Sequence, residues 1–354
     1  MVFEVAAPDS GNAMNLSHLY HQLNQRIQTI DFNALYPGFR PCPFALYTES
    51  ECFYDGNYID KSPQFIGNTT IEFEGQHIAI WYVLHSMDDK DQLAASIIHE
   101  MFHAYQNSQH ETRYPNEMKA LVEYQYHEKN LTLKLQEANI MKELSHKYNH
   151  QKFDDLLTMR VFRYHHFPYE VDYEARIEQI EGTAHYVELK ALEQLNMDVA
   201  KNKWLELFEK ISNPKHYFPI RVISYSIGAA LLKCCEHCTS LSFSFSKIPF
   251  SIELIKDVTS KSMEIDDDST ISELIASYHQ ETKQIIEKSL KKNECVLKGT
   301  FPLISLNIYN ARYDQGYATS TYFVAYMDQG ESKVLNGDFV IKLEQMTIKE
   351  VYRQ

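Results

Sequence analysis

The segment Leu93–Asn107, "LAASIIHEMFHAYQN", decides how this chain is interpreted. At 100° per residue its polar side chains fall on one arc and its apolar side chains on the opposite arc, which predicts an amphipathic helix. His99 and His103 lie four residues apart on the polar arc, so their imidazoles can bind one ion from adjacent turns. Glu100 points slightly aside, where it can act as a general base. The string His-Glu-x-x-His therefore predicts a zinc site, although a helix with a solvated polar face shows the same pattern.

Catalytic zinc usually takes three protein ligands, so a third ligand is expected elsewhere in the chain. The metzincin pattern requires a glycine at Gln106 and a histidine at Gln109, and it fails at both positions. A pattern with an aspartate ligand requires Asp at the position of His185 and fails as well. The remaining candidate is a glutamate from a second helix.

The segment "YEARIEQIEGTAHYVELKAL" offers such a glutamate. One stripe of this predicted helix carries Glu174, Glu178, Glu181, His185 and Glu188. A solvated acidic face would also give this stripe. Gly182 and Ala184 are small, however, and would let the helix approach another backbone closely. We therefore predict Glu181 as the third ligand.

Three motifs together resemble those of the gluzincins, a superfamily of zinc metallopeptidases. They are H-E-x-x-H at 99–103, E-G-x-A-x-Y at 181–186 and Y-x-x-G at 225–228, and the resemblance covers about residues 69–235. It implies a zincin-like fold in which His99, His103 and Glu181 bind Zn²⁺ and Glu100 is the general base. It also implies that Tyr225 lies beside the scissile carbonyl. The strand before the metal helix, within "TTIEFEGQHIAIWYV", would be a sheet edge that pairs with extended substrate.

The chain departs from this family at two points. Gluzincins often place an aspartate four residues after the glutamate ligand, where it orients a ligand histidine, and this chain has His185 there. Glu178 or Glu174 is left as the orienting residue, with His185 a further candidate beside the site. No G-x-M-E-N string is present, so the sequence gives no support for exopeptidase specificity.

The element pattern predicts an α+β fold with two domains. Aromatic and β-branched runs separated by Gly56, Gly67 and Gly75 predict a β-sheet before the metal helix. Residues 1–115 hold this sheet and helix, and residues 116–295 form a helical lobe that begins with one long periodic stretch from Asn116. Alternating runs in residues 296–354 predict a small β-rich second domain, with Asn336-Gly337 as a hairpin turn.

Composition limits the partners. The formal net charge of −14 disfavours nucleic acid and anionic membranes, because phosphates repel an acidic chain. No basic leader or long apolar run is found, so we expect a cytoplasmic protein without a membrane span. Six cysteines are too few for a secreted disulfide framework. Cys235-x-x-Cys238 lacks a second pair of ligands, which favours buried thiols on a helix over a structural zinc site.

These observations favour zinc-dependent hydrolysis of peptide bonds in a peptide or protein substrate. Two alternatives stay open at this point. A zincin-like scaffold without catalytic activity would bind a peptide or protein, with the C-terminal β region as its interaction module. A solvated helix that matches the motif by chance would bind no metal. The sequence gives no indication of the oligomeric state.

Overall fold

The computed structural model describes residues 15–84, 89–237, 247–265 and 267–354. The fold is mixed, with helices and two β-sheets, which agrees with the expected α+β class. No helix in these ranges carries an apolar stretch long enough to cross a membrane.

The described residues contain twelve α-helices. They are α1 (Leu16–Ile27), α2 (Phe32–Leu35), α3 (Lys90–Ser108), α4 (Glu117–Glu123), α5 (Glu128–His146), α6 (His150–His166), α7 (Pro168–Ile177), α8 (Thr183–Leu195), α9 (Met197–Ile211), α10 (Ile220–Cys235), α11 (Phe250–Glu253) and α12 (Ser269–Lys292). A π-helical turn, Glu178–Gly182, joins α7 to α8, and a 3₁₀ turn, Pro214–Tyr217, precedes α10.

The described residues divide into two compact units. The first unit takes the residues up to Glu111 together with Val187–Lys203, and the second takes Thr112–Tyr186 and the residues from Trp204 onward. The chain does change to β structure at Cys295, close to the predicted position. The resulting sheet belongs to the same compact unit as helices α4 to α7, and its independence as a domain stays a prediction.

The first unit contains a five-stranded sheet. Its strands are β1 (Phe44–Tyr47), β2 (Cys52–Tyr54), β3 (Asn57–Ile59), β4 (Thr69–Phe73) and β5 (Gln76–Tyr82), in the order β3-β2-β1-β5-β4. Strands β1 and β5 pair parallel and the other neighbours pair antiparallel. The strand directly before α3, β5, therefore lies inside the sheet, and the two edge strands are β3 and β4. The implied edge is found within the quoted segment, one strand earlier than expected.

Helix α3 follows β5 and packs against it and against α1. Asp89 caps its start, because the Asp89 carboxylate accepts hydrogen bonds from the backbone amides of Asp91 and Gln92. Arg26 of α1 donates to the Asp91 carboxylate at 2.7 Å. These contacts fix the first turn of α3 and thereby the direction in which its polar face points.

The helices of the second unit enclose a buried ionic cluster. Its members are Lys134, Glu137, Arg160, Arg163, Glu174 and Glu178, all at most 3 % exposed. Arg163 donates to Glu137 at 2.9 Å and to Glu174 at 2.7 Å. The three cations balance the three carboxylates, which lets the cluster stay charged in the core.

The predicted long helix from Asn116 is interrupted between α4 and α5. Tyr124 adopts an extended conformation after α4, and its hydroxyl donates to Glu174 at 2.7 Å. The Tyr126 hydroxyl accepts a hydrogen bond from the Ile220 amide at 3.2 Å. The break in the helix lets both tyrosine hydroxyls form hydrogen bonds in the core. Sequence periodicity reflects only neighbours along one helix, so it does not predict this break.

The second sheet has seven strands, all antiparallel. They are β6 (Cys295–Leu306), β7 (Tyr313–Asp314), β8 (Tyr317–Ser320), β9 (Phe323–Asp328), β10 (Glu331–Asn336), β11 (Phe339–Glu344) and β12 (Thr347–Arg353). Their order is β10-β9-β6-β12-β11-β8-β7. The sheet has its own apolar core, against which Met118 and Leu121 of α4 pack.

The hairpin predicted at Asn336-Gly337 is wrong. This dipeptide connects β10 to β11, and these two strands are not neighbours in the sheet. The two-residue turns between paired strands of this sheet are instead Gln315-Gly316, Gln329-Gly330 and Gln345-Met346, with positive φ at each residue. Gly337, with φ of 134°, serves a connection that passes from one part of the sheet to another.

Candidate metal centre

Helix α3 brings the two histidines of the H-E-x-x-H motif together. The apolar side of the helix is buried, and His99 and His103 are partly exposed on the other side. Their Nε2 atoms lie 3.1 Å apart. Glu100 is also partly exposed, one position further along the helix.

The remaining ring nitrogens of both histidines meet oxygen atoms. His99 Nδ1 lies 3.2 Å from Oε2 of Glu188, and His103 Nδ1 lies 2.8 Å from Oε1 of Gln106. Glu188 is itself held, because Ser96 Oγ donates to its other oxygen at 2.8 Å. An oxygen acceptor beside Nδ1 favours the tautomer with the proton on that nitrogen, which leaves the lone pair on Nε2.

This arrangement fits a divalent cation. When both protons lie on Nδ1, the two Nε2 lone pairs face each other at 3.1 Å, and a cation bound by both nitrogens removes their repulsion. With Zn–N bonds of about 2.0–2.1 Å and tetrahedral angles, two ligand nitrogens lie roughly 3.3 Å apart. The observed separation is close to that value. Gln106 is 4 % exposed although it lies on the polar arc of the helix, and its amide oxygen lies 2.8 Å from His103 Nδ1.

Two groups of side chains among the described residues could hold a metal ion. One group is His99, His103 and Glu181, which is the set predicted from the sequence. The other is His99, His185 and Glu188, which the sequence did not predict as a group. Imidazole and carboxylate donors suit zinc and several other divalent metals, so the groups indicate a metal site without identifying its ion.

Glu181 lies in the π-helical turn Glu178–Gly182. Arg221 of α10 donates to its Oε1 at 3.3 Å, and the same guanidinium donates to Glu117 at 2.8 Å and to the Tyr225 hydroxyl. Burial lowers the pKa of Arg221, but the neighbouring carboxylates of Glu117 and Glu181 raise it above its ordinary value. Arg221 thus stays charged and connects the predicted ligand to the predicted tyrosine.

The hydrogen bond between Arg221 and Tyr225 has a defined direction. A guanidinium group has donors and no acceptor, so the Tyr225 oxygen must accept. The tyrosine's own hydrogen then points away from Arg221. The Tyr225 hydroxyl can therefore donate to a group other than Arg221, and its place beside a scissile carbonyl stays a prediction.

The close helix approach expected at Gly182 is found against α10. A Cβ atom on Gly182 would lie 2.7 Å from the Cα of Gly228, and one on Gly228 would lie 2.9 Å from the Cα and the carbonyl oxygen of Glu178. Backbone atoms cannot yield to such contacts, so both positions require glycine. The crossing places Glu181 near Arg221 and Tyr225.

The residues expected to orient a ligand histidine need a correction. Glu178 accepts a hydrogen bond from Arg160 at 2.5 Å, and Glu174 binds Lys134 and Arg163 in the buried ionic cluster. The carboxylate beside His99 Nδ1 belongs to Glu188. His185, proposed as a residue beside the ligands, belongs to the second group that could hold a metal ion.

Sequence reasoning placed Glu188 on the correct stripe but gave it no role. Glu188 lies seven residues after Glu181, two helical turns along one face, which is a signal that could have been used. Gln106 was visible too, three residues after His103 on the polar arc. The choice between such candidates needed the positions of side chains about 90 residues apart in the chain.

A cavity of about 330 Å³ lies in the second unit. Its wall includes Glu117 and Arg221, the residues connected to Glu181, together with part of the second sheet. A volume of about 330 Å³ is enough for one large side chain. Arg221 of the cavity wall contacts Glu181, the predicted metal ligand.

The cysteines have a simpler outcome. Cys234 and Cys235 are buried on α10, as expected for thiols on a helix, and Cys238 lies outside the described residues. Burial raises the pKa of Cys42 to about 12 and of Cys52 to about 11, which keeps both as neutral thiols.

Comparison of the chain with protein-family models, curated proteins and solved structures finds no match.

Proposed function

We propose that this chain is a zinc-dependent peptidase of zincin-like, gluzincin type. The observation that carries the proposal is the geometry of the H-E-x-x-H histidines. Their Nε2 atoms meet at 3.1 Å while both Nδ1 atoms face acceptors. Glu181, in the group of His99 and His103, supplies the carboxylate that a three-ligand zinc site requires.

The zinc ion would be held by His99, His103 and Glu181, and when bound it would supply a Lewis acid for a peptide carbonyl. Glu100 takes a proton from the attacking water and returns it to the amine of the leaving peptide. Tyr225 donates a hydrogen bond to the oxygen on which negative charge develops, because Arg221 directs its hydrogen away from the guanidinium. Glu188 and Gln106 hold the imidazoles in the tautomer that a metal needs.

The edge strand β4 supports a peptide as the substrate. It pairs with β5 on one side and has no strand neighbour among the described residues on the other side. An extended peptide can add to such an edge through backbone hydrogen bonds. This mode of binding suits proteins or peptides in an extended conformation.

A Glu100→Gln substitution tests the mechanism. The variant should retain its metal and lose at least about a hundredfold in peptide hydrolysis, because the general base is removed while the ligands stay. Metal content is measured on the purified protein, and cleavage is measured with a peptide library with and without a chelator. Glu287→Gln on the exposed part of α12 is the matched control and should cleave as the parent does.

The possible outcomes separate the candidate functions. Unchanged cleavage by Glu100→Gln contradicts the mechanism. Bound metal with peptide binding but no cleavage in the parent protein would favour a scaffold that binds peptides. Absence of metal from a protein purified and reloaded with zinc would mean that the motif occurs by chance.

A further inference from the structure

The cavity in the second unit is walled by a row of tyrosine rings. Tyr173, Tyr124, Tyr126 and Tyr278 follow one another with ring centroids 5.6, 5.2 and 5.1 Å apart. All four line the cavity. Aromatic faces carry negative quadrupole charge and attract a cation that comes within about 6 Å of the ring centre.

The two arginines of the cavity wall are already bound by carboxylates. Arg221 donates to Glu117 at 2.8 Å and to Glu181 at 3.3 Å. Arg312 lies over the Tyr278 ring and donates to Glu281 at 3.1 Å. Their positive charges are therefore compensated, and they are poor partners for an anionic ligand.

Asp314 of β7 adds a further negative charge to the wall. Among the described residues no side chain or backbone amide donates to its carboxylate, and the residue is only partly buried. Glu117, Glu181, Glu281 and Asp314 together provide four carboxylates against the two guanidinium groups. The surroundings of the cavity thus carry an excess of negative charge.

We propose that this cavity is a specificity pocket for a basic side chain, lysine or arginine, of a peptide substrate. The tyrosine row binds the apolar stem and the face of the cation, and Asp314 accepts a charge-assisted hydrogen bond from its head. Arg221 lines the cavity and also donates a hydrogen bond to Glu181, the proposed third metal ligand. The inference rests on the proposed peptidase function for its substrate, but binding can be tested without cleavage.

The test compares two small ligands on the full chain. N-acetyl-arginine methylamide carries the cationic head, and N-acetyl-citrulline methylamide has nearly the same shape without the charge. Affinities are measured by ligand-observed NMR titration. The arginine compound should bind about tenfold more tightly than the citrulline compound, and Asp314→Asn should remove most of that difference.

Glu331→Gln provides the matched control, because Glu331 is an exposed carboxylate of the same sheet that does not line the cavity. It should leave both affinities unchanged. Equal binding of the two ligands by the parent protein overturns the proposal, and so does an equal loss of both in Asp314→Asn. A charge-dependent preference in a protein that cleaves no peptide would keep the pocket and reject the peptidase function.

Discussion

The carboxylate of Glu188 determines how the His99 ring is oriented at this site. It lies on a helix face that reads as solvated, yet it holds His99 Nδ1 at 3.2 Å and is itself bound by Ser96. Such partners fix the ring orientation and raise the basicity of the opposite nitrogen. A histidine without this support would rotate among several orientations, and binding a metal would require it to become ordered.

A Glu188→Gln substitution should therefore weaken zinc binding by about ten- to a hundredfold. The amide keeps the size of the side chain but loses the negative charge that stabilises the metal-bound imidazole. Zinc affinity is measured by competition with a chelating indicator. Glu209→Gln, on an exposed part of α9, is the control and should bind zinc like the parent; an unaltered affinity in Glu188→Gln would remove Glu188 from the site.

Among the secondary-structure elements, the π-helical turn and the crossing of α10 position Glu181, the proposed third ligand. A π turn inserts one extra residue into a helix and often occurs at functional sites. Here it falls on Glu178–Gly182, and Gly182 lies against Gly228 of α10. The turn and the two glycines together set the direction of Glu181.

Replacing Gly228 with alanine tests this crossing. In an uncrowded helix the change would stabilise the protein by about 1 kcal/mol. Against the Glu178 backbone at 2.9 Å it should instead destabilise by roughly 1–3 kcal/mol and weaken zinc binding. Urea unfolding and zinc titration provide the two measurements.

Gly56→Ala is a useful comparison for that variant. Its φ of 79° makes alanine unfavourable by about 1 kcal/mol, while no atom lies within 4 Å of the added Cβ. It should lose stability and keep its zinc affinity. A Gly228→Ala protein as stable as the parent would show that the helices do not cross as tightly as described.

The buried ionic cluster of the second unit gives a pH prediction. Burial would raise the pKa of Glu174, but Arg163 and Lys134 outweigh it, and the pKa lies at about 2 instead of 4.5. A carboxyl whose pKa is lowered by folding stabilises the protein above its unfolded pKa and loses that contribution as the pH falls through the folded one. The contribution, about 3 kcal/mol, should decline between pH 4.5 and pH 2.

Glu174→Gln should therefore be strongly destabilised at pH 6, by about 3–5 kcal/mol, since it leaves buried cations without their partner. The difference in free energy of unfolding between the parent and the variant should be about 2 kcal/mol smaller at pH 3, because the parent has lost part of the Glu174 contribution there. Urea unfolding at both pH values measures this difference. A constant difference would mean that Glu174 is not the titrating group.

For the molecule as a whole, a bound metal should add to stability. A ligand that binds only the folded state at 1,000 times its dissociation constant stabilises by about 4 kcal/mol. Removing the metal with a chelator should therefore lower the thermal unfolding temperature by several degrees. The His103→Ala variant, which lacks a ligand, should unfold at the same temperature with and without the chelator; a chelator shift in that variant would place the metal elsewhere.

Local sequence patterns sufficed for much of this fold. Periodicity predicted the helix that carries His99, and runs of aromatic and β-branched residues predicted a β-sheet before it, because both signals depend on residues within a few positions of one another. The same locality gave His99, Glu100 and His103 their common face. Gly182 could be expected at a close crossing because only a missing Cβ permits one.

Tertiary packing decided the rest. Asn336-Gly337 has the composition of a hairpin turn, but it connects β10 to β11, which are not neighbours in the sheet. The strand that pairs with β11 depends on the packing of the whole sheet and not on the turn residues. The helix predicted from Asn116 is interrupted at Tyr124 and Tyr126, whose hydroxyls form hydrogen bonds with Glu174 and Ile220, far along the chain. Glu188 of α8 lies beside His99 of α3, and Glu178 of the π-helical turn accepts a hydrogen bond from Arg160 of α6. Both pairs depend on which residues meet when separate elements pack. Periodicity tells which side chains share a face; only the packed structure determines what each of them contacts.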